Sequence, residues 1–338
     1  MTPPLAHETW FEDGVFPTDW GFAAQTTTLL LLAAAVLVTI VLRVVASRRG
    51  GIDVPLLGGM ARYMPFAVRL HLAVSLIGLL SLGFYLSPAM DLQADVVGIL
   101  LGAVMALVAV GMAAGWHTRE AAWLLIAAGP LGMLEFGLWP VLQRIDLLGL
   151  AVFVLFTGPG RWSADMERGA AREYALPDAA RAIFALRVAA GLGLIIVAFA
   201  EKLATPDLAL AFLAERPELN VAQQVGLGLS DLEFIRVAGA IEVLFGLLLI
   251  SGALPQAIVL IAGVPFNATL WFFGNTELVG HLPIYGAMLT LLVWGSDPTL
   301  RPLVSGFPGW PGRGRARGRS PSDARAPAAH GQPASGRP

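Results

Sequence analysis

The sequence predicts an all-α, polytopic transmembrane helix bundle with nine spans. Two observations lead there. Of 338 residues, 56% are hydrophobic and only 14% are charged, against about 25% charged in soluble domains. The apolar residues also gather in runs near the 17–25 residues that cross a hydrocarbon core as helix. A net charge of −2 gives no global field that would attract nucleic acid, and no cysteine is present to form disulfides or thiolate metal sites.

In chain order the predicted spans are 26–45, 68–86, 96–115, 121–138, 141–157, 181–200, 234–254, 257–273 and 278–294. The segment before the first is acidic and lacks a basic region. No small-residue cleavage site follows that span; Arg43, Arg48 and Arg49 do, so it reads as a spanning helix rather than a cleaved signal. The fifth and ninth runs are short unless they take in Arg144 and His281, which places both residues at the membrane edge. One set of loops carries Arg48, Arg49, Arg62, Arg119, Arg161, Arg168, Arg172 and Arg181; the other carries only Arg144, Lys202 and Arg216, with Arg236 at a helix start. The first set is therefore expected in the cytoplasm. The N-terminus then lies outside, with Trp10 and Trp20 at the interface, and the C-terminus inside, as in a multi-pass protein of the cell inner membrane. The tail is rich in Gly, Pro, Ser and Arg, a composition that cannot bury a core. It is expected to be a disordered, solvated, basic tail that fixes topology, with weak attraction to anionic lipid as the alternative.

An internal repeat organises the chain. A shift of 137 residues lays 102–158 on 239–295; each window has eight glycines and five coincide, where chance gives about one. Upstream, Val68-Arg69 matches Leu186-Arg187 at a shift of 118. The expected units are an extracytoplasmic segment (1–25), a leading helix and cytoplasmic loop (26–67), a first four-helix unit (68–165), a linker (166–180), a second four-helix unit (181–300) and the tail (301–338). An even number of helices per unit makes the repeat parallel, which disfavours an inverted-repeat transporter.

The polar residues are unevenly shared. The second unit sets Arg236, Glu242, Asn267, Asn275, Glu277 and His281 among apolar runs. At the positions of Glu242, Asn267 and His281 the first unit has Met105, Pro130 and Arg144. A charge at mid-span costs about 2.5–3.5 kcal/mol on insertion scales and marks a candidate site. Arg236 and Glu242 are six residues apart, so they face different sides of one helix; Glu242 needs a partner from Lys202, His281 or Asn267. The expected site is an outward-facing pocket for a polar headgroup, a quinone ring or a small anion. Glu242 and His281 handle protons there, and Lys202, Arg187, Arg236 and Asn267 bind the ligand. For Arg187 the sequence also allows a second place, snorkelling to lipid phosphate near the cytoplasmic side, and Arg69 and His71 read the same way. Glu135, Arg144 and Asp146 form a local ion cluster. His71 and His117 fall on the opposite side from His281, so no two histidines near the spans can ligate one metal, and no metal or other cofactor is expected in this chain.

Three stretches carry a family likeness: RVAAGLGLIIVAFAEKL at 187–203, LAFLAERPE in the following loop, and FIRVAGAIEVLFGLLLISG at 234–252. With TGPGRWSAD closing the first unit at 157–165, they resemble the DoxX family of four-helix membrane proteins. The family pattern carries onto Arg187, Lys202 and Glu242. Met105 departs from it in the first unit, and WGSDP replaces the closing motif in the second. The resemblance implies membrane redox work, with relatives among thiosulfate:quinone oxidoreductase subunits. It implies a redox partner subunit, and a partner chain would hold any metal or flavin. Two readings of function stand: a quinone-interacting component of a redox system, or a non-catalytic membrane transporter or scaffold subunit.

Overall fold

The computed structural model describes residues 10, 14–47 and 54–306, without the side chains of 269 and 271–276. The expected tail beyond residue 306, Arg48 and Arg49, and the Asn275 side chain lie outside what is described. The regular secondary structure of the described residues is all helical, with one isolated β-bridge between Phe84 and Asp91.

The main helices are α1 (Thr26–Ala46), α2 (Met64–Ser81), α3 (Val96–Ala114), α4 (Thr118–Phe136), α5 (Ile145–Thr157), α6 (Leu176–Val197), α7 (Pro206–Glu215), α8 (Asp231–Ser251) and α9 (Pro255–Ser296). Local chemistry sets several starts. Asp95 accepts from the Gly98 amide to open α3. Ser230 and Glu233 form a reciprocal capping box at α8. Pro lies in the first turn of α2, α6, α7 and α9, where its missing N–H removes nothing.

Six helical stretches among the described residues are long and apolar enough to cross a membrane: Thr26–Ala46, Pro55–Ser81, Val96–Ala114, Leu176–Leu203, Asp231–Ser251 and Glu277–Ser296. The other three of the nine predicted spans fall short of that standard. Ile145–Thr157 and Pro255–Ala268 are apolar but shorter. α5 has only 13 residues because a separate short helix, Leu138–Leu142, precedes it and Arg144 sits at the break. α4 has the length but carries Arg119, Glu120 and Glu135.

The continuous helical assignment of α9 hides a reversal. Its 42 residues would make a rod of about 63 Å at 1.5 Å per residue. Yet Gln256 Nε2 donates to Ser296 Oγ at 3.0 Å, and the Tyr285 hydroxyl donates to the Phe266 carbonyl at 2.9 Å. These pairs require two antiparallel arms with the turn between Phe266 and Glu277.

α2 packs on α3 and on α9, and α6 packs on α5 and α8. α1 lies against α8 with most of its leucines and valines exposed, as suits a lipid-facing helix. Contacts related by the two sequence shifts recur. Gly115 and Gly252, which end α3 and α8, both take left-handed backbone, and so do His117 and Leu254 two residues on. A Cβ on Gly115 would lie 2.9 Å from Arg69 Cζ, and one on Gly252 would lie 2.9 Å from Arg187 Cζ. Both arginines are fully buried against main-chain carbonyls. Arg69 donates to Met112, Ala113, Pro159 and Trp162; Arg187 donates to Val304 and Gly306. The reading that Arg187 and Arg69 meet lipid phosphate is corrected by this burial; Arg187, also expected to bind the ligand, does not line the cavity described below. The carbonyls left without helical donors at these helix ends and in the loops after them are strong acceptors, and a buried guanidinium supplies enough donors to satisfy several at once. His71 likewise lies inside the bundle, 2.7 Å from the Ala67 carbonyl and packed on Gly286.

Candidate functional site

One end of the bundle holds a cavity of about 380 Å3. α6 ends there in a π-helical turn, Ala198–Leu203, closed by the Ala204 amide on the Phe199 carbonyl. Such wide turns are frequent at functional sites. Here the turn carries two consecutive charged residues, Glu201 and Lys202, and both line the cavity. α8 faces them with Val237, Ala238, Ile241, Glu242 and Phe245. Lys202 Nζ lies 3.2 Å from Glu242 Oε1. Of the three partners open to Glu242 in the sequence, the structure brings Lys202.

The two arms of α9 complete the far wall. Ala262, Pro265 and Phe266 on the first arm share one face at helical spacing. On the second arm Glu277 is fully buried, and its Oε1 lies 3.1 Å from His281 Nδ1. The His281 ring packs between Phe266 at 5.1 Å and Trp10 at 5.2 Å. Pro283 shapes this arm. It has no amide hydrogen, so the Val279 carbonyl loses its helical donor, and the Ser75 hydroxyl of α2 supplies one at 2.8 Å. The next carbonyl, Gly280, accepts from Arg144 Nη1 at 2.8 Å.

Arg144 and Asp146 come from the start of α5 and also line the cavity, 3.4 Å apart. The local ion cluster read from the sequence is therefore part of this site, without Glu135, which is exposed on α4. The cavity thus collects four carboxyl side chains (Asp146, Glu201, Glu242 and Glu277), the basic side chains Arg144 and Lys202, and His281 in an otherwise largely apolar wall. A second, smaller cavity of about 290 Å3 shares Gln143 with it and is walled by Phe16, Trp20, Trp139 and Phe199. Among the described residues no three His, Asp or Glu side chains group as a metal site.

Three of the six predicted site residues, Glu242, His281 and Lys202, meet at the cavity. Three do not. Arg187 caps chain ends as above. Arg236 is turned from Glu242 by its six-residue offset. It donates to Thr28 Oγ1 at 3.1 Å and Gln25 Oε1 at 2.6 Å, over the Phe22 ring, and so fastens α1 to α8. Asn267 is exposed and donates back to the Gly263 carbonyl at 2.6 Å; one residue past Phe266, it is rotated about 100° off the cavity face. Sequence reasoning left Glu201 and Glu277 out of the site and gave Arg144 and Asp146 a local role. The signal for Arg144 was present, since the 137-residue shift superposes it on His281.

In the first unit Met105, at the position of Glu242, is fully buried, and so are Tyr85 and Met90. The Tyr85 hydroxyl donates to the carbonyl of Ala128, the residue matching Pro265, at 2.9 Å.

Compared with family models, curated proteins and solved structures, the chain shows no significant match.

Proposed function

We propose that this chain is the quinone-interacting membrane component of a redox system. The observation that carries the reading is the cavity itself, largely apolar, with Lys202–Glu242 and Glu277–His281 set in its wall. The sequence resemblance to the DoxX family supplies the redox context. A bound quinone accepts two electrons and two protons on reduction. In this reading a partner subunit delivers the electrons. Glu242 and His281 face the ring and move protons at Oε1 and the imidazole nitrogens, while Lys202 holds Glu242 in place. The apolar wall strips water from the ring and strengthens each polar contact. We further infer nine crossings of the inner membrane, with the N-terminus outside and the C-terminus in the cytoplasm, which sets the cavity at the outer leaflet. The arginine-rich loops at the opposite end of the bundle support that orientation.

Quinone extraction from the detergent-purified protein tests the function. Wild type should retain quinone, and Glu242→Gln should lose it while keeping its helical circular dichroism. A wild type that carries no quinone, and whose melting temperature does not move on adding a short-chain quinone, overturns the reading. The rival, a transporter or scaffold, draws on the four carboxyl groups set against two basic side chains in the cavity, which suits a cationic solute. Melting shifts with amines and metal cations but not with quinones would favour it.

A further inference from the structure

We propose that the start of α2 holds an anionic phospholipid, with its headgroup phosphate between Arg62 and Arg161 and an acyl chain along the exposed face of α2. This is a second site, independent of what the cavity binds: α5 starts at the cavity with Arg144 and Asp146 and ends at the loop that builds this patch. The loop lies against the first turn of α2. Gly160 takes left-handed backbone, and a Cβ there would lie 2.7 Å from the Phe66 amide nitrogen. That close approach stacks Trp162 on Tyr63 at 5.4 Å and sets it edge-on to Phe66 at 5.0 Å. The Arg62 and Arg161 guanidinium carbons stand 4.9 and 5.4 Å from the centroid of the same Tyr63 ring.

Two features point to an anionic ligand at the membrane surface. The first is charge. Two exposed guanidinium groups gather at one ring, and among the described residues neither has a carboxylate within ion-pair distance. Asp165, in the same loop, is taken by the Thr118 amide and hydroxyl and the His117 amide. Arginine cannot shed its proton, so the two repel; a phosphate seated between them turns that repulsion into two attractions and suits the planar donor fork. The second is Trp162. It holds left-handed backbone at φ 52° and is 66% exposed. A bulky residue is strained there, and no burial offsets the strain. The conformation is fixed from beneath, where Arg69 donates to the Trp162 carbonyl at 2.8 Å. Trp116 is exposed at the same end, since Gly115 packs on Ser163. Exposed tryptophans of this kind mark the headgroup level.

The rest of α2 supplies the place for a chain. Tyr63, Phe66, Leu70, Val74 and Ile77 recur at helical spacing and share one face. Leu70, Val74 and Ile77 on that face are exposed. From Phe66 to Ile77 the strip is about 16 Å long at 1.5 Å per residue, close to half of a hydrocarbon core of about 30 Å. A free phosphate would use the arginines and leave this strip bare; a phospholipid covers both.

The test titrates the delipidated, detergent-purified full-length protein with dioleoylphosphatidylglycerol or dioleoylphosphatidylcholine and follows the melting temperature. The anionic lipid should raise it by several degrees and the zwitterionic lipid should not. In Arg62→Gln/Arg161→Gln the lipid concentration giving half the effect should rise about thirtyfold, while Arg168→Gln/Arg172→Gln should behave as wild type. Equal shifts with the two lipids, or an unchanged midpoint in the first double variant, overturn the site. An equal loss in the second shows diffuse attraction to basic loops and also overturns it. Inorganic phosphate that reproduces the shift overturns the lipid as occupant. Should the first double variant not fold, lipids brominated on their acyl chains decide: the fluorescence that Trp162→Phe removes should be quenched more by the brominated anionic lipid than by its zwitterionic counterpart, and equal quenching sinks the proposal.

Discussion

At the scale of single residues, the two buried arginines differ in where they lie. Arg187 donates to main-chain carbonyls at Val304 and Gly306, so it fastens two segments together. Arg144 donates to the Gly280 carbonyl, lies beside Asp146 and lines the cavity. Both looked alike in the sequence, as arginines beside apolar runs. Outside the spans, Asp165 gives a test of a simpler kind. Burial alone would raise its pKa. Hydrogen bonds from the Thr118 amide and hydroxyl and the His117 amide outweigh that and hold the carboxyl below its ordinary range. A carboxylate whose pKa is depressed in the folded state contributes stability above its unfolded pKa of about 3.9 and loses it as pH falls through the folded value. Wild type should therefore melt higher than Asp165→Asn at neutral pH, and the gap should close as pH drops below about 4. A gap independent of pH would show that the charge of Asp165 does not matter.

At the scale of elements, the cavity depends on how closely α6 and α8 cross. Gly191 and Gly246 meet there, and a Cβ on either would lie 2.5 Å from the carbonyl oxygen of the other. Without a hydrophobic drive between helices in lipid, this close approach of small residues is what holds them. Gly246→Leu should force the helices apart, lower the melting temperature by several degrees, and weaken ligand binding although no cavity-lining side chain has changed. An unchanged melting curve would overturn the importance of the crossing. The sequence announced these helices through their apolar length; the capping box at Ser230, which starts α8 three residues before the predicted span, went unread. Two elements escaped it. The π turn at Ala198–Leu203 has no compositional signature, because its wide backbone is imposed by the packing of α6 on α8. The shortening of α5 was equally hidden, since residues 141–157 are apolar enough to read as a single span. Pro283 was visible, but its effect was not: only the fold shows that Ser75 and Arg144 take up the carbonyls around it.

For the molecule as a whole, orientation is the open measurement, and the lack of cysteine makes it clean. Gln224 and Arg168 are both exposed, at opposite ends of the inferred topology. In spheroplasts an impermeant maleimide should label Gln224→Cys, and should label Arg168→Cys only after lysis. The reverse pattern would turn the protein over and move the cavity to the cytoplasmic leaflet. Much of the site was legible at this scale, because the uneven sharing of polar residues between the units pointed to the second one. The contribution of the first unit was not. Charge spacing along the chain is silent about which helices of two units touch, and Arg144 reaches the cavity only because α5 packs on α6 and beside α9.

That loan has a consequence for how such a chain can change. The half in which Tyr85, Met90 and Met105 are fully buried still lends Gln143, Arg144 and Asp146 to the cavity wall. A gene encoding the second half alone would then yield a bundle whose cavity stands open on that side.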